Sequence, residues 1–245
     1  MIDLAKNLPR YIYLFLIAST AIVVGIEWDI AWHETIGRDT FWSPPHMVVY
    51  LGGIICGSTC AYMALQQTFV NTNLYNRYVR FWGFKAPFAC WVCIWGAIAM
   101  LTSAPFDDWW HNAYGLDVQI ISPPHLVLAA GFFAILLGTL LLLIAEKNLA
   151  KEKEKKILEY LFMYSASLIV VQFAILLTEY SFANKQHTYE FYLFSLTLYS
   201  FLIIAFRTAT DHKYAATIIA ALFILHRLLI IWILPLFEAE PLLGP

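Results

Sequence analysis

The chain alternates long apolar runs with short polar stretches. Apolar segments fall at about 10–28, 46–69, 84–106, 124–145, 157–178, 189–207 and 214–236, each close to the roughly 20 residues that an α-helix needs to cross a bilayer. They predict seven transmembrane helices, joined by connections too short to hold a soluble domain. The expected fold class is an all-α integral membrane bundle, with residues 1–245 forming one polytopic domain. Composition agrees, since 61% of residues are hydrophobic, 13% are charged and the mean hydropathy is +0.67, far from the make-up of a soluble domain.

Charge adds an orientation. Of the Lys and Arg residues in the connections, twelve lie on the N-terminal side, the largest group at Lys147–Lys156, and two, Arg38 and Lys185, on the opposite side. The positive-inside rule then predicts a multi-pass protein of the cell membrane with a cytoplasmic N-terminus and a C-terminus facing outward. The first run is longer than a signal-peptide core and has no small-x-small site after it, so it reads as an uncleaved helix. Lys147–Lys156 reads as a solvated cytoplasmic helix end. A net charge of -2 and a pI near 6.4 leave no basic footprint for nucleic acid; the partner that composition implies is the lipid bilayer.

The candidate chemistry lies in an internal repeat. Asp29-Ile-Ala-Trp-His33 matches Asp107-Asp-Trp-Trp-His111, and in each copy a Gly follows four residues after the His (Gly37, Gly115), then an Asp (Asp39, Asp117), then Ser-Pro-Pro-His ending at His46 and His125. As spacings the copies read D-x3-H-x12-H and D-x3-H-x13-H. Each covers two spans, giving repeat units at about 10–69 and 84–145, while the last three spans at about 157–236 carry no such motif.

Residues four apart share a helix face, so Asp29 points with His33 and Asp107 with His111 at the exit of an odd-numbered span. In Ser-Pro-Pro-His the Ser suits an N-cap and the Pro the first helical position, which puts His46 and His125 in the first turn of the next helix. A short loop then brings one carboxylate and two imidazoles together in each hairpin, leaving room for water or a substrate. Both sites are expected at the outer membrane face. Imidazole with carboxylate suits copper, zinc or non-haem iron, whereas a bis-His haem is disfavoured because the repeated carboxylate has no place in axial ligation. No catalytic side chain is singled out beyond these ligands.

With Arg38 before Asp39, and Phe41, Pro44, Pro45 and His46 after it, the first copy resembles the metal-binding segment of the C subunit of particulate methane monooxygenase and ammonia monooxygenase. The second copy resembles that subunit's second site, the longer spacing included. The resemblance covers roughly residues 20–130. It implies that Asp29, His33 and His46 bind copper at one site and His111 and His125 at the other, where Asp107 stands in place of the family's usual Asn or related polar residue. It further implies a subunit of a copper-dependent monooxygenase, an oxidoreductase acting on methane, ammonia or a short hydrocarbon. Such a subunit works with others, one of them cupredoxin-like, in a homo- or hetero-oligomer. The residues themselves leave open a copper-binding, transfer or sensing protein without turnover.

The remaining features read more plainly. Asp39 and Asp117 are expected to support the ligands from the loop by accepting the imidazoles' other N–H, with Arg38 paired to a carboxylate, and Gly37 and Gly115 to close the helices. Cys56, Cys60, Cys90 and Cys93 lie inside spans and read as core packing. Trp28, Trp32, Trp42, Trp109 and Trp110 crowd the two motifs and are expected to wall them from water. His226 and Arg227 fall inside the seventh span and are expected to face the bundle interior.

Overall fold

Seven helices carry the chain back and forth. The computed structural model describes residues 8–37, 40–71, 75, 77–115, 122–185 and 188–240, with the backbone alone over 178–185. α1 spans Arg10–Thr35, α2 Pro44–Leu65 with a π-helical turn at Gln66–Val70, α3 Phe88–Tyr114 and α4 Pro123–Leu149. α5 spans Glu152–Lys185, α6 Tyr189–Thr208 and α7 Ala215–Ile233, which ends in a 3-10 turn at Leu234–Phe237. Each of the seven is long and apolar enough to cross a membrane, and the side chains left outward on them, such as Leu51, Ile54, Leu196 and Trp232, give the surface that lipid tails solvate.

α1 and α2 form one hairpin and α3 and α4 another, packed side by side with α5 closing the group. The repeat seen in the ligand motifs continues into this packing. A Cβ on Gly52 would come within 2.8 Å of the carbonyl oxygen of Ala18, and one on Gly131 within 2.8 Å of that of Gly96. Gly52 and Gly131 each lie six residues after the hairpin's last His, and Ala18 and Gly96 each lie eleven before its Asp. Small residues at corresponding positions thus let each pair of helices approach closely, the usual device where lipid removes the hydrophobic drive between helices. Polar pairs tie the hairpins together: Ser19 Oγ lies 2.9 Å from Thr139 Oγ1 across α1 and α4, and the Tyr11 hydroxyl donates to Glu146 at 2.8 Å. Thr20 pairs with Tyr164 of α5 at 2.7 Å.

Two expectations change. The third span was expected to start near 84, but Val79–Phe81 and Phe84–Ala86 form a two-stranded antiparallel hairpin, and α3 begins only after Pro87. Trp82 and Gly83 both have positive φ at its turn, where Asn or Asp is the usual signal before Gly. The hairpin is pinned to the end of α2, since the Lys85 N–H donates to Thr68 Oγ1 at 2.8 Å. The basic run is also not solvated throughout. Lys147 is buried and donates from Nζ to the Ala209 carbonyl at 2.8 Å, so this lysine caps the connection between α6 and α7 instead of facing water.

Candidate metal centre

The ligand motifs sit where α1 and α3 end and α2 and α4 begin, so both hairpins present them at the same end of the bundle. α1 stops because Gly37 takes φ +92 and donates to the Trp32 carbonyl at 3.1 Å; α3 stops at Gly115, with φ +97 and its N–H on the His111 carbonyl at 3.0 Å. These left-handed positions suit Gly, as expected from the sequence. α3 runs on through Pro105 for about two and a half turns, and Asp107 and His111 lie on that extension. Pro44 and Pro123 occupy the first positions of α2 and α4, with Ser43 and Ser122 as their N-caps.

The carboxylate of each hairpin then meets its two imidazoles. In the second site Asp107 lies 3.4 Å from His111 Nε2 and 3.2 Å from His125 Nε2, and one donor atom from each of the three residues fits within 4.8 Å of the others. In the first site Asp29 lies 3.1 Å from His46 Nε2 but 4.0 Å from His33 Nε2, and the His33 side chain is 50% exposed. The sites are neighbours, since His46 of the first lies within electrostatic range of Asp107 of the second.

These spacings bear on what the residues can hold. Two donors each about 2.0–2.1 Å from one ion and roughly 100–110° apart stand about 3.1–3.4 Å from each other, which is the separation seen for Asp29 with His46 and for Asp107 with both of its histidines. Asp29 Oδ1 faces His46 Nε2, and Asp107 Oδ1 faces His125 Nε2, as ion pairs. Among the described residues nine buried side-chain nitrogen or oxygen atoms lack a hydrogen-bond partner, and six of them are here: those two oxygens, His111 Nδ1 and the indole nitrogens of Trp28, Trp32 and Trp110. Buried polar atoms are normally hydrogen-bonded, so their concentration here marks a polar site, and a cation between the donors would bind carboxylates and imidazoles together. The donor set fits a metal.

One supporting residue was missed in the sequence. His46 Nδ1 lies 3.0 Å from the Thr40 carbonyl, an acceptor that holds a proton on Nδ1 and leaves Nε2, which faces Asp29, as the nitrogen that would take a metal. Ser43, expected only as an N-cap, holds Thr40 in place by donating to its carbonyl and accepting from its N–H, both at 2.7 Å. Ser122 keeps the expected capping bond, accepting from the His125 N–H at 3.5 Å. The loop residues Arg38, Asp39 and Asp117, assigned support of the ligands, lie outside the described residues.

Aromatic rings lie beside both motifs along α1 and α3. Trp28 meets Trp32 edge-on and Phe237 at a tilt, and Trp110 meets Tyr114 at a tilt, whereas Trp42 and Trp109 are largely exposed at the end of the bundle, where indole rings favour the membrane interface. A second missed residue is Glu27. It is buried, accepts from Arg227 at 2.7 Å and lies 2.5 Å from His226 Nε2, so these two α7 residues do face inward. A lone carboxylate inside an apolar run is a signal that sequence alone offers. Comparison with family models, with curated proteins and with solved structures finds no match to this chain.

Proposed function

We propose that this is a membrane-embedded copper-binding protein akin to the C subunit of copper-dependent membrane monooxygenases, holding copper at Asp29, His33 and His46 and at Asp107, His111 and His125. The observation that carries the reading is the repeated convergence of one carboxylate on two imidazoles at ligand-to-ligand distances, 3.1 Å for Asp29 with His46 and 3.4 and 3.2 Å for Asp107 with His111 and His125. The resemblance of the two motifs selects copper over zinc or non-haem iron. The charge asymmetry of the connections supports an outward-facing metal end in the cell membrane.

In this reading copper supplies the one-electron chemistry that activates dioxygen. The chain's residues do the rest. Asp29 and Asp107 offset the cation's charge, and the Thr40 carbonyl keeps His46 in the tautomer that offers Nε2. The indoles of Trp28, Trp32 and Trp110 shield part of the ends of α1 and α3 from water. An apolar groove of about 490 Å³, lined by Tyr13, Leu16, Thr20, Val24, Val48 and Tyr164 among others, runs along α1. Val24 and Val48 bring it within about two helical turns of Asp29 and His46. A small apolar substrate such as a short hydrocarbon would partition into it from lipid. Oxidation would engage further subunits, one of them cupredoxin-like.

The exposure of His33 favours a second reading, in which the first site exchanges copper with a soluble partner and no turnover occurs. The deciding experiment is elemental analysis of the protein purified in detergent without added metal, followed by activity assays on the copper-loaded protein with partner subunits present. Near-stoichiometric copper with oxidation of substrate supports the oxygenase; copper without oxidation supports transfer. Zinc or iron in its place would overturn the copper reading.

A further inference from the structure

All four cysteines of the chain meet at one place in the bundle, away from the Asp/His sites. Cys56 and Cys60 lie one turn apart on α2, Cys90 and Cys93 on α3; all are free thiols and fully buried. The Sγ atoms of Cys56, Cys60 and Cys93 lie within 4.8 Å of one another. Cys60 also touches Cys90, whose Sγ lies 3.7 Å from Met63 Sδ. Gly138 on α4 makes the room, because a Cβ there would collide with Cys93 Sγ.

Buried Cys often serves as a small apolar residue, but packing does not require sulfur at every position. Elsewhere the same two helices meet through Gly53, Gly57 and Ala97. Here five sulfur atoms from two helices converge, three of them around a common point. Three sulfur donors about 2.3 Å from one ion in a trigonal plane stand about 4 Å apart, so the cluster needs to contract little to hold one. Thiolate and thioether donors select soft ions, Cu(I) foremost among those of single charge.

Coordination number decides between Cu(I) and Zn(II). Cu(I) is satisfied by two or three sulfur donors, whereas structural Zn(II) is almost always four-coordinate, and among the described residues three cysteines share a common point. We propose that Cys56, Cys60 and Cys93, with Cys90 and Met63 behind them, form a buried site for Cu(I). As the ion enters, each sulfur that binds it releases its proton to solvent, so that a sulfur–copper bond replaces each sulfur–hydrogen bond and no electron moves. Cys56 lies ten residues along α2 from His46, about 15 Å, so this site is separate from the Asp/His ligands and does not depend on their binding copper.

The test uses the full-length protein in detergent, kept anaerobic and reduced, and titrated with Cu(I) against a chromogenic Cu(I) chelator. Wild type, H46A/H125A and C56S/C93S are compared, with X-ray absorption at the copper edge for the first two. The expected result is one equivalent of Cu(I) with a sulfur-only shell retained in H46A/H125A, and one equivalent lost in C56S/C93S. Absence of sulfur-bound copper in both wild type and H46A/H125A, or selective uptake of Zn(II), would overturn the proposal. The absorption measurement on H46A/H125A stands even if C56S/C93S does not fold. Wild type that holds only the sulfur-bound copper would instead count against the Asp/His sites.

Discussion

Glu27 on α1 and Arg227 on α7 meet at 2.7 Å inside the bundle, two hundred residues apart along the chain. His226 joins the same carboxylate, and the 3-10 turn after α7 packs Leu234 against Ala31 and the Trp28 ring. The C-terminal spans, which carry no ligand motif, thereby brace the end of α1 from which Asp29 and His33 project.

Replacing Glu27 with Gln should remove the buried carboxylate that Arg227 and His226 share. Breaking such a pair costs about 3–5 kcal/mol, which for a chain of this size lowers the unfolding midpoint by roughly 6–20 °C. Thermal scans in one detergent check this, and an apolar trio such as E27M/H226F/R227M should recover most of the loss. An unchanged midpoint in E27Q would show that the pair carries no stability.

The two sites should not bind alike. His33 stands 4.0 Å from Asp29 and is half exposed, while all three donors of the second site close on one another. Metal held by Asp107, His111 and His125 should therefore be at least about tenfold tighter, or 1.4 kcal/mol. Chelator competition on D29A, which keeps the second site, and D107A, which keeps the first, measures the difference. Tighter binding in D107A would refute it.

Much of this was legible because its physics is local. Apolar run length gives the seven spans, and i, i+4 spacing with Ser-Pro-Pro gives the ligands their places on helix ends. What was illegible depends on partners far away in sequence. Glu27 acquires meaning only when α7 is packed against α1, and the sulfur cluster only when α2 lies on α3. Lys147 looks like one more lysine in a charged run until Ala209 is brought to it. The hairpin at Val79–Ala86 was hidden by its turn, where Trp82 occupies a position that usually announces itself as Asn or Asp.

The Ser43 hydroxyl should matter to metal and little to folding. It orients Thr40, whose carbonyl orients His46, and loss of such an outer partner typically costs 10–100-fold in metal affinity. In a D107A background, Ser43→Ala should weaken the remaining site by about tenfold, and Ser43→Thr should retain most of it. Equal affinity for Ser43→Ala and the parent would remove Thr40 from the account of the site.

The paired glycines make the sharpest test of the repeat. Gly131 faces the Gly96 carbonyl and the backbone N–H of Met100, and Gly52 faces the Ala18 carbonyl and the backbone N–H of Ile22. Neither wall is a flexible side-chain tip, so a methyl group at either position must push two helices apart, at a cost of about 1–3 kcal/mol. The displacement reaches the donors because His125 and His46 lie less than two turns away on the same helices. Gly131→Ala should release metal from the second site while sparing the first, and Gly52→Ala should do the reverse. Metal content measured in each variant, alone and combined with D29A or D107A, separates the two. If both substitutions loosen both sites equally, the hairpins move as one body, and the independence implied by their separate helix contacts is lost.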